Sequence, residues 1–107
     1  MRPLLALVIL ALIAGCAGPS TEPVETQTIR IPGQWVFQPQ NAIVHANETI
    51  TFVNDGGAAH SVTFDDLHID RMLDPGDSFD MTIEAPGTYS YTCKLHPPDM
   101  KGTLIVR

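Results

Sequence analysis

Cysteine and positive charge are both scarce in this chain. There are two cysteines, Cys16 and Cys93, and six Lys and Arg stand against twelve Asp and Glu, a net charge of −6. A structural zinc site, which wants four strong ligands and usually more cysteines, is disfavoured. A nucleic-acid partner is excluded for want of a basic patch. An acidic surface suits solubility or a basic protein partner. Long apolar runs are also missing. The longest, Pro3–Ala14, holds about twelve residues, short of the ~20 a spanning helix needs. No twelve-residue stretch keeps a helical period. No HExxH-like zinc-hydrolase pattern occurs, and no internal repeat is seen.

The N-terminus reads MRPLLALVILALIAGCAG. One arginine, a short apolar run and a small-residue cleavage site make residues 1–15 an export signal. Ile13-Ala14-Gly15-Cys16 resembles the lipobox of bacterial lipoproteins, which implies lipidation of Cys16 and a membrane-surface anchor. Residues 16–27 then form the lipidated cysteine and a linker of Pro, Ser, Thr and Glu, with one isolated Val24. The domain occupies 28–107. If Cys16 carries lipid, Cys93 has no disulfide partner. An unpaired thiol in an oxidising, exported compartment needs a reason, and metal ligation is one.

From Thr28 the pattern is β. Candidate strands are Thr28–Ile31, Trp35–Phe37, Ala42–His45, Thr49–Val53, Ser61–Phe64, Ser78–Ile83, Thr88–Cys93 and Thr103–Val106. Asn47 falls at a turn position that tolerates positive φ. Asn47-Glu48-Thr49 matches a glycosylation sequon and is read as a turn. Residues 65–78, rich in acids with Pro75 and Gly76, read as a long loop. Short strands separated by turns every eight to twelve residues suggest a β-sandwich. Period-two alternation puts Tyr89, Tyr91 and Cys93 on one face, toward the core. Met81, alternating with Phe79 and Ile83, reads as plain core.

The segment YTCKLHPPDM, residues 91–100, gathers a thiol, an imidazole and a thioether within eight positions. Cys93 ends a strand, His96 lies three residues on, Pro97-Pro98 stiffens the turn, and Met100 closes it. A second histidine, His60, opens another strand after a Gly-rich turn. Two imidazoles, a thiolate and a weak thioether describe a mononuclear blue-copper site. The thiolate stabilises Cu(I), imidazoles suit both oxidation states, and the thioether tunes the potential.

These stretches resemble the small blue copper proteins, the plastocyanin, amicyanin and pseudoazurin family of cupredoxins. FQPQNAIVHANETITFVNDGGAAHSVTF is similar to the family's run from its F-x-P strand to the first histidine ligand. PGTYSYTCKLHPPDMKGTLIV is similar to its ligand loop and last strand. The resemblance implies an all-β, Greek-key β-sandwich of eight strands with one type 1 copper. It assigns the metal to His60, Cys93, His96 and Met100, and makes His96 the electron port through an apolar surface patch. Three departures stand out. The His–Met spacing is x3, one longer than in amicyanins and one shorter than in plastocyanins. Ser61 replaces the Asn that ties the family's two ligand loops. Thr92 replaces the plastocyanin Tyr of a remote electron-entry route, so no second entry site is expected.

The function implied is one-electron transfer between redox proteins by an exported, lipid-anchored monomer at a bacterial membrane, its domain in the periplasm or outside the cell. The alternative is a copper module for delivery or storage, which would prefer labile, methionine-rich donors. A copper enzyme is not expected, since a nitrite reductase needs a second domain and a dinuclear site needs two cysteines in one loop. His45 is expected at the surface, Met72 over a sheet end, and His68 in solvent. A second weak metal site at His68 with Asp65, Asp66 or Asp70 is the lesser possibility. Six carboxylates between Asp65 and Asp80 read first as a solvated loop and second as electrostatic steering. Lys94 and Lys101 flank the ligand loop and make its end locally less acidic.

Overall fold

The computed structural model describes residues 21–95 and 100–107. These hold nine strands and no helix: β1 (Val24–Glu25), β2 (Thr28–Ile31), β3 (Asn41–Val44), β4 (Ile50–Asn54), β5 (His60–Phe64), β6 (Ile69–Leu73), β7 (Ser78–Met81), β8 (Gly87–Thr92) and β9 (Lys101–Val106). They form a six-stranded sheet in the order β1-β3-β9-β8-β5-β6 and a three-stranded sheet in the order β2-β4-β7. Pairings β1–β3, β3–β9 and β2–β4 are parallel, and the rest are antiparallel.

The alternation of side chains along each strand builds the core. In β4, Ile50, Phe52 and Asn54 are buried, with Thr51 and Val53 on the other face. In β9, Gly102, Leu104 and Val106 are buried in the same way. The two sheets meet through an aromatic cluster. Phe52 of the small sheet packs edge-on against Phe64 and Tyr91 of the large one, with ring centroids 6.2 and 5.2 Å apart. Phe37 meets Tyr91 edge-on at 4.8 Å. Burying a ring such as Phe52 contributes about 1.5–3 kcal/mol, and edge-on geometry adds to it. Arg71 of β6 sits 4.3 Å over the Phe79 ring of β7, joining the sheets outside the core.

The β3–β4 turn uses Asn47 at φ 70°, as its position in the sequence suggests. Three sequence expectations are corrected. Trp35–Phe37 is not a strand. Phe37 is buried, but Trp35 and Val36 are exposed, and only Gln38 bridges Arg30. The supposed long loop 65–78 contains β6, paired along its length with β5. The stretch read as linker joins the large sheet at its end, where Val24 and Glu25 pair with Ala42 and Ile43. That attachment is made by backbone, since both side chains are exposed. With this short β1 and with β6 counted, nine strands replace the eight expected.

Candidate metal centre

One end of the sandwich collects the chemistry. Asn54, the last residue of β4, is fully buried and organises the loop before His60. Its Nδ2 donates to the carbonyls of Ala58 and Leu73, both at 2.9 Å, and its Oδ1 accepts from Gly56 N–H at 3.0 Å. Gly56 is needed there: a Cβ would lie 2.7 Å from the Pro32 carbonyl oxygen. His60 then enters β5 at a fixed height and faces inward with Val62 and Phe64.

The second half of the centre comes from β8 and β9. Cys93 directly follows β8, and its N–H donates to the Met100 carbonyl at 3.0 Å. This bond extends the β8–β9 ladder and brings the two ends of the ligand loop together. The preceding rung pairs Tyr91 with Gly102. A Cβ on Gly102 would stand 2.5 Å from the Tyr91 phenol oxygen, so glycine makes room for the ring.

Cys93 carries a free thiol and is buried, as are His60 and Met100. The Cys93 Sγ lies 3.8 Å from His60 Nδ1, and Met100 clusters with them. Ser61 ties the two halves. Its N–H donates to Cys93 Sγ at 3.3 Å, and its Oγ accepts from Lys94 N–H at 2.8 Å. His96, and Cys16 at the N-terminus, lie outside the described residues.

The donor set fits a metal. Thiolate and imidazole bonds to a divalent first-row ion run to about 2.3 and 2.0–2.1 Å. Donors 3.8 Å apart are close enough to bind one such ion together. The N–H aimed at the sulfur suits a thiolate, which accepts strongly. Elsewhere, His45 is exposed and pairs with Glu25 at 3.1 Å. His68 is exposed at a turn with φ 55°. No group of three or more His, Cys, Asp and Glu among the described residues could hold a metal, so a site at His68 with its neighbouring aspartates is not formed. Met72 is exposed one residue from the end of β6, opposite Ser61 of β5.

Tyr91 is the exception to a well-satisfied core. Its hydroxyl is buried with no hydrogen-bond partner among the described residues. Burial pushes its phenol pKa above the ordinary tyrosine range. At the surface, the Lys94 ammonium bonded to Asp70 holds that carboxyl below the ordinary range.

A cupredoxin-like domain model matches residues 3–106. The plastocyanin of Scenedesmus fuscus is 34% identical over 88 residues, covering 70% of this chain and 90% of that protein. Among solved structures, the purple cupredoxin from Nitrosopumilus maritimus superposes with a TM-score of 0.69 at 26% identity, over 77% of this chain and all of that one. The Cu(I) form of an amicyanin variant gives 0.67 at 26% identity, over 75% and 80% of the two chains. A Cu-containing nitrite reductase from Thermus scotoductus gives 0.66 at 26%, matching 92% of this chain but 25% of that longer one. A buried His–Cys–Met cluster on an all-β sandwich defines the class as the blue copper proteins. The chain belongs to the cupredoxin family, and its cofactor is type 1 copper.

Proposed function

We propose that this protein carries single electrons between protein partners outside the cytoplasmic membrane, with one copper held by His60, Cys93, His96 and Met100. The observation that carries the reading is the buried His60–Cys93 pair, 3.8 Å apart, with Ser61 N–H on the sulfur. Copper supplies the change between Cu(I) and Cu(II). The chain holds the donors still through that change. His60 is fixed by the Asn54 loop, Cys93 and Met100 by a shared backbone bond, and water is kept from the thiolate by burial. Little then has to reorganise when an electron arrives or leaves. No substrate bond is made or broken in this role. Burial of Cys93 and Met100 also weighs against a labile copper-delivery site.

In this reading His96 is the port through which partners exchange electrons, and Cys16 carries the lipid of an exported, monomeric lipoprotein. His96→Ala, with exchange measured per copper-loaded protein, is the test. Electron exchange with a small redox protein is expected to slow by an order of magnitude or more, as about 10–100-fold losses are usual when a metal ligand's surroundings are disturbed. Unchanged exchange would remove His96 from the route.

A further inference from the structure

The contacts of Ser61 do not stop at the ligand loop. Its Oγ lies 2.9 Å from Thr63 Oγ1, and Thr63 Oγ1 donates to Asp70 Oδ1 at 3.1 Å. Asp70 Oδ2 accepts from Lys94 Nζ, and Lys94 N–H returns to Ser61 Oγ at 2.8 Å. The contacts therefore close a ring that begins and ends on the residue after Cys93. Strand geometry explains it. Ser61 and Thr63 are two apart on β5 and share a face, and Thr63 is directly opposite Asp70 on β6.

The direction of every hydrogen bond in the ring is fixed. A carboxylate only accepts, so the single Thr63 proton goes to Asp70. Ser61 must then donate to Thr63, which leaves its Oγ free to accept from Lys94 N–H. The chain runs Lys94 N–H to Ser61 to Thr63 to the carboxylate, each bond polarising the next. Ser61 is held at both its hydroxyl and its backbone, and its backbone N–H is the group on the Cys93 sulfur.

We propose that Thr63 and Asp70 are positioning residues for the copper centre, acting through Ser61 to hold its N–H on the Cys93 sulfur. The idea rests on the electron-transfer reading only for its consequence at copper. Hydrogen bonding to the thiolate draws electron density from it and so favours Cu(I), and hydrogen bonds around this sulfur tune the potential. Loosening Ser61 should favour Cu(II). The Asp70–Lys94 pair is half-exposed, and such pairs add little stability. The relay should therefore show in the centre's properties more than in folding.

The test is Thr63→Val, with Thr63→Ser and Asp70→Asn beside it. NMR amide exchange of Ser61 and Lys94 is read in the metal-free and Cu(I) proteins. The Cu(II)/Cu(I) ratio is read at a fixed applied potential. Thr63→Val should speed amide exchange about two- to tenfold, the worth of one net hydrogen bond. It should move the ratio toward Cu(II) by about two- to tenfold, less than the ~10–100-fold of groups touching a ligand. Asp70→Asn should act in the same direction, and Thr63→Ser should stay near the unaltered protein. Unchanged exchange and ratio in Thr63→Val would overturn the proposal, as would faster exchange with an unmoved ratio. If the unaltered protein binds copper without a blue band, the electron-transfer reading fails. Amide exchange in the metal-free protein still decides whether the relay holds Ser61.

Discussion

Ser61 shows how much one small side chain can organise: a backbone bond to the thiolate and a hydroxyl bond to the opposite loop, from a residue with no exposed surface. Its place beside His60 was legible from sequence, as were His60, Cys93 and Met100. Cys-x2-His alone is a weak signal; the Pro97-Pro98 turn, Met100 and the second histidine after a Gly-rich turn made it readable. Asn54, Thr63 and Asp70 were not legible, because their roles depend on which strand lies opposite. Tyr91 gives a prediction at this scale. Above pH ~10 the unfolded chain ionises this tyrosine, while burial keeps it protonated in the folded one. The unfolded state then binds fewer protons, so stability falls as pH rises, by up to about 1.4 kcal/mol per unit. Tyr91→Phe should remove that slope. It should leave stability at pH 7 unchanged or raised by up to about 2 kcal/mol, because a buried hydroxyl with no partner among the described residues is lost. Urea unfolding at pH 7 and pH 11 measures both, and an unaltered slope would contradict the assignment.

At the scale of elements, strands with one buried face were read within a residue or two, because alternation follows directly from the pleat. The errors fall where that alternation fails. In β6 only Leu73 is buried, and Asp70, Arg71 and Met72 are all exposed. An edge strand held by its backbone pairing with β5 has no hydrophobic signature. Trp35 and Val36 have strand-forming side chains, but neither is buried. The β4–β5 loop depends on Asn54, which makes three hydrogen bonds from a buried position. Asn54→Ala should cost about 1–3 kcal/mol for the carbonyls and N–H left without partners. It should also speed loss of copper to a chelator, since His60 follows that loop. Equal chelation rates in the two proteins would show that the loop does not control His60.

For the whole molecule, the cupredoxin architecture and the metal were legible because the ligand motif and the strand pattern agree. Partners were not, since a net charge of −6 defines a sign and not a surface. That sign sets an expectation. Electron exchange with a basic redox protein should slow as salt rises from ~10 mM to ~150 mM, where screening shortens from about 30 Å to 8 Å; stopped-flow rates independent of salt would show that the net charge does not steer docking. Lipidation is tested by Cys16→Ser, expected to move the protein from the membrane to the soluble fraction. The most direct measurement is the visible absorption spectrum of the Cu(II)-loaded protein beside Cys93→Ser. The expected result is an intense blue thiolate-to-copper band that the substitution abolishes. Copper bound without that band, or a band surviving in Cys93→Ser, would contradict a centre built on the Cys93 thiolate.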